Sequence, residues 1–308
     1  MGIESNWGNG VKDTNLPFPL VRRGKVRDVY ETPGGLLIVA TDRLSAFDAV
    51  FPDPIPGKGR ILHQLSTWWL QHTQEISENH IIDPFPTQLG LPSELARVLY
   101  GRAALCRRAK VFPVECVVRG YLEGSALTAY KESQSVCGVR LPVGIKRGEK
   151  LAFPIFTPTT KEESGHDVPI SFEDVVRTIG HEFAEMIRFK SLQLFQFAHD
   201  LLLPKGIILS DTKFEFGLVD DRVVLVDEAL TPDSSRFWEA ESYGPDSKAP
   251  RSFDKQYVRD YVEATGWNKQ PPAPRLPEEV ILGTMARYEE IFKITTGAEI
   301  QVKEVIPQ

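Results

Sequence analysis

Residues 210–228 read SDTKFEFGLVDDRVVLVDE and carry the clearest signal for a β-hairpin. Alternate residues of a strand share one face, so Asp211, Lys213 and Glu215 line one side while aromatic residues at 214 and 216 line the other. A polar Asp-Asp-Arg segment then separates this run from a second, apolar run. The pattern predicts two antiparallel strands with one packed face and one charged face.

The turn of this hairpin determines which carboxylates meet. If residues 220–222 form a three-residue loop, Glu215 stands directly opposite Asp227, with the two side chains about 5 Å apart. Two like charges at that spacing repel each other unless a cation lies between them, and oxygen-only ligands favour Mg²⁺ over zinc. Two alternatives stay open: an exposed polar face balanced by Lys213, and a two-residue turn that places Asp227 opposite Phe214.

Strand and helix patterns alternate along the rest of the chain. Residues 26–41 read as a second hairpin around a Pro-Gly-Gly turn. Apolar residues recur with helical spacing over residues 171–203, where Ser171 and Asp174 fit an N-terminal capping box and Gly180 kinks or divides the helix. This mixture of hairpins and helices predicts an α+β protein.

The composition excludes several classes of protein. The chain has 308 residues, 42% of them hydrophobic, and a formal net charge of −6, which argues against a dominant nucleic-acid-binding face. No apolar run approaches the roughly 18 residues that span a bilayer. The first residues do not resemble a secretion signal, and three cysteines without a Cys-x-x-Cys motif argue against a disulfide framework. We therefore expect a cytoplasmic protein that binds neither nucleic acid nor membranes.

Three further stretches place polar residues beside predicted strands. Residues 22–30 read RRGKVRDVY, residues 40–48 read ATDRLSAFD, and residues 115–125 read ECVVRGYLEGS. A glycine followed by alternating basic residues can fold over phosphates, with backbone N–H groups and Lys25 as donors. Each stretch alone is more typical of a solvated edge strand, a loop or a helix cap. The chain has neither a P-loop nor a Rossmann glycine motif.

Together with other segments, these stretches form an ordered set. The set comprises, in chain order, GKVRDVY, ATDRLSAFD, GKGRILHQLSTWW, VECVVRGYLEGS, PIFTPTTK, SDTKFEFG and LVDEALTPDSSRFW. It resembles the SAICAR synthetase family (the phosphoribosylaminoimidazole-succinocarboxamide synthases) of purine biosynthesis, over residues 24–261. The spacing is similar to that of the monofunctional, fungal-like length form of the family.

The resemblance implies a two-lobe α+β fold with ATP in the cleft. An antiparallel, β-rich N-terminal lobe would cover residues 1–110, and a larger α+β C-terminal lobe would cover residues 111–308. The implied reaction converts ATP, the carboxyaminoimidazole ribotide CAIR and L-aspartate into ADP, phosphate and SAICAR, through an acyl phosphate that the aspartate amine attacks. Such chemistry depends on Mg²⁺ and fixed cations more than on a covalent nucleophile. We expect the enzyme to be a monomer.

The resemblance also implies roles for individual residues. The nucleotide contacts would be Lys25, Val26, Arg27, Val111, Phe112, Val114, Glu215 and Asp227. Two of them, Glu215 and Asp227, would hold Mg²⁺. Catalytic roles fall to Lys213, Asp211 and Arg119. The substrate contacts would be Asp42, Arg43, Ser45, Asp48, Arg119, Ser125, Lys161, Asp233, Ser235 and Arg236. No residue is assigned to the aspartate pocket.

Two other functions would use many of the same residues. A small-molecule kinase would stop at phosphoryl transfer, so its release of ADP would not depend on L-aspartate. A nucleotide- or RNA-binding module would use the basic residues 22–27, and its affinity would fall steeply with salt. The ordered motif set favours the ligase over both.

Overall fold

The computed structural model describes residues 8–161, 167–244 and 250–302. These residues form two compact units. The first unit contains the described parts of residues 1–68, 80–108 and 253–308, and the second contains those of residues 69–79 and 109–252. The chain therefore enters each unit more than once.

The strands are, in chain order, β1 (Leu20–Arg23), β2 (Arg27–Thr32), β3 (Gly35–Ala40), β4 (Ser45–Ala46), β5 (Ala49–Val50), β6 (Ile81–Asp83), β7 (Ala103–Cys106), β8 (Lys110–Tyr121), β9 (Ser135–Val136), β10 (Val139–Arg140), β11 (Lys150–Phe156), β12 (Thr159–Thr160), β13 (Ile207–Val219), β14 (Arg222–Val226) and β15 (Ser235–Glu239). The α-helices are α1 (Lys58–His72), α2 (Ser93–Leu99), α3 (Ser125–Ser133), α4 (Phe172–Ile179), α5 (His181–Leu202), α6 (Gln256–Ala264) and α7 (Glu278–Thr296). Within the described ranges, no helix has the length and apolar character needed to cross a membrane.

The first unit is built on a five-stranded sheet with the order β1-β2-β3-β7-β6, in which all neighbours are antiparallel. β2 and β3 form the hairpin that residues 26–41 predicted, with Thr32 opposite Gly35 across the turn. Alternate residues of these strands point to a buried face, where Tyr30 and Leu37 pack with apolar residues of the same unit.

A second core in the first unit joins residues that lie far apart in the sequence. Leu44 and Phe51 pack with Val258 of α6 and Val280 of α7. Both helices therefore belong to the first unit, although they follow the second unit in the chain. The compact units differ from the predicted lobes in this C-terminal segment, because apolar burial is set by contacts in space and not by chain order.

The second unit is built on a six-stranded antiparallel sheet. Its main path is β11-β8-β13-β14, with β12 beside β8 and β15 beside β13. The two longest strands, β8 and β13, are neighbours in this sheet, and α5 packs against both. Phe214 and Phe216 of β13 are fully buried, as the alternating pattern of this strand predicted. The sheets and helices together confirm the α+β class.

The helical pattern over residues 171–203 forms two helices. α4 and α5 meet at Gly180, whose φ of 85° is one that side chains with a Cβ rarely adopt. The predicted capping box is present: Ser171 Oγ accepts a hydrogen bond from the Asp174 N–H, and the Asp174 carboxylate accepts one from the Ser171 N–H. The cap fixes where α4 begins, and the glycine explains why one apolar pattern forms two helices.

The β13–β14 hairpin has a two-residue turn. Val219 lies opposite Arg222, so the turn consists of Asp220 and Asp221, with φ values of 49° and 59°. The three-residue loop is therefore wrong, and the two-residue turn that the sequence left open is the one observed. Short polar side chains tolerate this left-handed conformation, and two consecutive residues in it match the twist of a hairpin. Glu215 consequently lies opposite Val226 and not opposite Asp227.

Candidate active site

A pair of buried acids lies across β8 and β13. Glu115 of β8 stands directly opposite Glu215 of β13, and the two residues are each 7% exposed. The expected pair of facing carboxylates therefore exists, but β8 supplies the second acid instead of β14. Residues that face each other across an antiparallel pair share one face of the sheet, so both acids lie on the face that carries Lys213.

Two lysines neutralise this pair. The Lys213 ammonium forms an ion pair with Glu115 and lies 3.7 Å from Glu215 Oε1, and the Lys161 ammonium pairs with Glu215 Oε2. Thr159 Oγ1 donates a further hydrogen bond to Glu115 Oε2 at 3.3 Å. Burial raises the pKa of Glu115, and Lys213 opposes that rise only in part. Burial lowers the pKa of Lys213, but the two glutamates outweigh this effect and leave the pKa above its usual value.

A second charged cluster surrounds Asp211 on the same strand. Asp211 lies opposite Arg119 of β8 on one side and opposite Arg236 of β15 on the other. Its Oδ2 atom is 2.5 Å from Arg236 Nη1 and 3.4 Å from Arg119 Nη1. Two guanidinium groups around one carboxylate leave an excess positive charge, which suits the binding of a further anion.

The end of β8 holds Arg119 in place. Its guanidinium donates to Ser125 Oγ at 3.1 Å and to Thr157 Oγ1 at 3.0 Å, and the residue is 7% exposed. Gly124, just before Ser125, has a φ of 61°, and a Cβ there would lie 2.6 Å from an Arg236 nitrogen. A glycine is therefore required where α3 begins, because the backbone passes directly against the second arginine of the cluster.

The first unit contributes a separate basic loop. Residues 24–26 connect β1 to β2, and Lys25 Nζ lies 2.5 Å from Asp48 Oδ1. Both side chains are about half exposed, at 51% and 41%. Arg27 follows as the first residue of β2 and is half-buried. The loop thus presents one flexible ammonium to solvent.

Comparisons with known proteins identify the family. A family profile described as SAICAR synthetase matches residues 20–274. The chain belongs to the SAICAR synthetase family. A phosphoribosylaminoimidazole-succinocarboxamide synthase of Thermodesulfovibrio yellowstonii is 48% identical over 94% of this chain and 99% of its own length. The corresponding synthase of Desulforapulum autotrophicum is 46% identical over 93% of this chain and 98% of its own length.

Solved structures of SAICAR synthetases have the same fold. The SAICAR synthase of Saccharomyces cerevisiae, in complex with SAICAR, is 36% identical, covers 94% of this chain and 99% of its own, and superposes with a TM-score of 0.84. A SAICAR synthetase in complex with ADP is 26% identical, covers 91% of this chain and 99% of its own, and superposes with a TM-score of 0.64. The predicted family, the enzyme assignment and the role as a ligase of purine biosynthesis are confirmed.

The side chains of Asp42 and Arg43 form hydrogen bonds with other groups of the protein. Asp42 is fully buried and accepts hydrogen bonds from Arg102 and from the backbone N–H groups of Val11 and Gly59. Arg43 is 7% exposed and donates to backbone carbonyls and to a buried carboxylate of the same unit. Their assignment as substrate contacts of the SAICAR synthetase stays a prediction, and the structure places both in an intramolecular network.

The other predicted substrate residues divide between the two units. In the first unit, Ser45 is buried in β4 and Asp48 pairs with Lys25. In the second unit, the Ser235 hydroxyl lies 2.8 Å from Thr212 Oγ1 at the start of β15. The Asp233 N–H donates to Thr231 Oγ1 in the preceding loop. These assignments also stay predictions.

Three of the predicted nucleotide contacts lie at the beginning of β8. Val111 is 42% exposed, whereas Val114 is fully buried. Phe112 is buried against the ring of Phe183, with the ring centroids 5.5 Å apart. Val111 is therefore the member of this group whose side chain is available to a ligand.

The donor set fits Mg²⁺ only together with phosphate. Among the residues that the structure describes, no three His, Cys, Asp or Glu side chains come together as a metal site. Mg²⁺ commonly takes one or two carboxylates and completes its coordination with phosphate oxygens and water. Glu215 lies on the charged face of β13, Asp227 follows the end of β14, and their assignment as Mg²⁺ ligands stays a prediction.

Sequence reasoning missed the role of Glu115. It lies within an apolar run, ECVVR, and alternation places it on the same face as Arg119, so its burial among valines was readable as a signal. The pairing of Glu115 with Glu215 could not be predicted, because nothing in the local sequence shows that β8 pairs with β13. A single acid inside a buried strand is a reason to search for a paired cation.

Proposed function

We propose that this SAICAR synthetase joins CAIR to L-aspartate with hydrolysis of ATP, yielding SAICAR, ADP and phosphate. One observation carries the proposal: the two charged clusters lie on the same face of β13. Asp211, with its two arginines, lies within the first half of the strand. Glu215, with its lysines, lies four residues further along, a distance of about 13 Å along the strand. That separation suits a substrate with an anionic group at one end and a reacting carboxylate near a nucleotide at the other.

The arginine cluster would bind an anionic group of CAIR. The guanidinium groups of Arg119 and Arg236 converge on the Asp211 carboxylate, and this cluster of two cations would attract an anion. Asp211 would orient both guanidinium groups, since it lies between them. Ser125 would add a hydroxyl donor beside Arg119. Planar arginine donors recognise carboxylate and phosphate groups well.

The acid–lysine cluster would serve phosphoryl transfer. A carboxylate forms an amide only after it gains a leaving group, and an acyl phosphate supplies one. Lys213 and Lys161 would offset the negative charge that gathers on the transferred phosphoryl group, in a site where the partners are already in place. Mg²⁺, held by Glu215 and Asp227, would neutralise phosphate charge when bound. Lys25, Val26 and Arg27 would contact the nucleotide phosphates.

Several observations support the nucleotide assignment and the setting of the enzyme. The relative with a TM-score of 0.64 was solved with ADP. The net charge of −6 is consistent with a protein that acts on small molecules and contacts neither nucleic acid nor membranes. We propose a monomer that works in the cytoplasm, where purine biosynthesis consumes ATP and aspartate.

The test is ADP release by purified protein with Mg–ATP and CAIR, measured with and without L-aspartate. Glu215→Gln should reduce the rate at least about 100-fold, because it removes a charge on which the transition state depends. Glu182→Gln, at an exposed position on α5, is the matched control and should retain the wild-type rate. Release without aspartate would support a kinase, and binding of ATP without any release would support a binding module.

A further inference from the structure

The carbonyl groups of residues 24–26 are all tied to the protein. Gly24 O and Lys25 O accept hydrogen bonds from the Arg43 guanidinium, at 2.9 Å and 3.2 Å. Val26 O accepts one from the N–H and another from the hydroxyl of Thr41, at 3.0 Å and 2.8 Å. The acceptors of this loop therefore point inward, toward residues 41–43.

A trans peptide unit is planar, and its C=O and N–H groups point in opposite directions. When Arg43 holds the carbonyls of Gly24 and Lys25 inward, the next two N–H groups must point outward. These are the N–H groups of Lys25 and Val26. Within the described part of the chain, no group accepts a hydrogen bond from either of them. Successive outward N–H groups form the kind of concave site that binds phosphate oxygens.

The Arg43 guanidinium is engaged almost entirely by groups of the protein itself. An arginine carries five N–H donors. Four of them donate hydrogen bonds, to Lys25 O, Lys12 O, Gly24 O and Asp28 Oδ1, and Nη1 also forms a looser ion pair with the exposed Asp13 carboxylate at 3.5 Å. Asp28 is itself fully buried and accepts two further hydrogen bonds from Thr14. Arg43 would have to break one of these contacts before it could touch a ligand.

We propose that Arg43 is a positioning residue that shapes the 24–26 loop for nucleotide phosphates without touching them. This inference rests on the proposed function, in which that loop contacts the nucleotide. The guanidinium fixes two peptide planes, and Thr41 fixes the third. Lys25, whose ammonium pairs with Asp48, adds a positive charge beside a backbone site whose orientation is already set. The role differs from the direct substrate contact that the resemblance implied for Arg43.

Arg43→Lys tests the role, because a lysine keeps the charge near Asp28 but cannot reach both carbonyls in the same geometry. Calorimetry with Mg–ADP, steady-state KM values and thermal unfolding are measured on the full chain. We expect the dissociation constant of ADP and the KM for ATP to rise about tenfold, since one or two charge-assisted hydrogen bonds are lost. The KM for CAIR should stay unchanged. Arg22→Lys, on the exposed strand β1, is the matched control and should bind ADP normally.

Thr41→Val is a second, milder variant that tests the same role if the Arg43→Lys protein does not fold. It removes the hydroxyl that donates to Val26 O and accepts from the Arg43 backbone N–H, and it leaves the Thr41 N–H bond to Val26 O in place, so it should weaken ADP binding by a smaller factor. Lys25→Met tests whether the 24–26 loop binds the nucleotide at all, separately from whether Arg43 positions that loop. If Lys25→Met weakens ADP binding while Arg43→Lys and Thr41→Val do not, the positioning role is refuted and the loop assignment stands.

Two further outcomes would also overturn the inference. If Lys25→Met leaves ADP binding unchanged, the loop does not bind phosphates, and this part of the proposed function fails as well. If Arg43→Lys raises the KM values for ATP and CAIR equally and lowers the unfolding temperature, Arg43 only stabilises the fold. Selective loss of nucleotide affinity in a folded Arg43→Lys protein would support the positioning role.

Discussion

We expect Asp42→Asn to destabilise the first unit strongly. The Asp42 carboxylate is fully buried, and four donors converge on it. Oδ1 accepts from the Gly59 N–H at 2.8 Å and from Arg102 Nη1 at 3.0 Å. Oδ2 accepts from the Val11 N–H at 2.6 Å and from Arg102 Nη2 at 3.3 Å. The carboxylate thus connects the N-terminal segment, the start of α1 and the start of β7.

The magnitude follows from this geometry. Asparagine has one oxygen, so its NH₂ group must face two of the four donors whichever way the amide is turned. The Arg102 charge, 3% exposed, also loses its counter-ion. Breaking a buried ion pair in this way costs about 3–5 kcal/mol. Since whole domains are stable by about 5–15 kcal/mol, Asp42→Asn should remove a large part of the free energy of unfolding.

Urea unfolding followed by circular dichroism measures the effect. Asp221→Asn is the matched control, because Asp221 is exposed in a turn and asparagine tolerates its φ of 59°. The control should change the free energy of unfolding by less than about 0.5 kcal/mol. If Asp42→Asn were equally mild but raised the KM for a substrate, Asp42 would be a ligand contact, and the structural reasoning would be refuted.

Three other substitutions test separate parts of the molecule. Glu115→Gln removes the charged partner of the lysine on the neighbouring strand, so kcat should fall about 10- to 100-fold, and an unchanged kcat in the folded variant would separate Glu115 from the chemistry. Gly35→Ala places a Cβ 2.4 Å from the Cys106 carbonyl oxygen at a φ of 138°. It should lower the free energy of unfolding, measured in urea, by more than about 2 kcal/mol. Gly244→Ala, with open space around the added Cβ, is the control and should leave that free energy unchanged. Burial lowers the pKa of His63 from 6.5 to about 4. Between pH 6.5 and pH 4, the imidazole is therefore protonated in the unfolded chain but neutral in the folded chain. The free energy of unfolding should therefore decrease by up to about 3 kcal/mol as the pH falls from 6.5 to 4, and His63→Gln should abolish that dependence.

The hairpin at residues 210–228 shows what the sequence can and cannot predict. Alternation identified both strands and the charged face correctly, because these properties depend on neighbouring residues. The turn length was not determined, since Asp220 and Asp221 are acceptable both in a longer loop and in a two-residue turn with positive φ. A change of one residue in the turn places Val226 instead of Asp227 opposite Glu215 on β14.

The actual partner could not be predicted locally. Glu115 and Glu215 are brought together by the pairing of β8 with β13, whose strands are separated in the chain by helices and by a second hairpin. Hairpin neighbours are evident from a turn, but the neighbour on the other side of a strand is not. The physical expectation was sound, because facing carboxylates do require a cation. In the described structure, lysine ammonium groups meet that requirement.

The segment at residues 40–48 shows how a dense polar motif can act indirectly. Its polar residues follow a buried strand, and such a position demands partners for backbone groups that the sheet leaves unpaired. Thr41 and Arg43 meet this demand by holding the carbonyls of residues 24–26, while Asp42 gathers donors from two other segments. A motif of this kind resembles a ligand site in sequence, since both need several polar groups close together. What separates the two in structure is whether the donors are already used. Four hydrogen-bonded donors on Arg43 and four donors on Asp42 argue that both side chains serve the protein's own structure. They agree with the proposal that Arg43 shapes the 24–26 loop while Lys25 and the loop N–H groups meet the ligand.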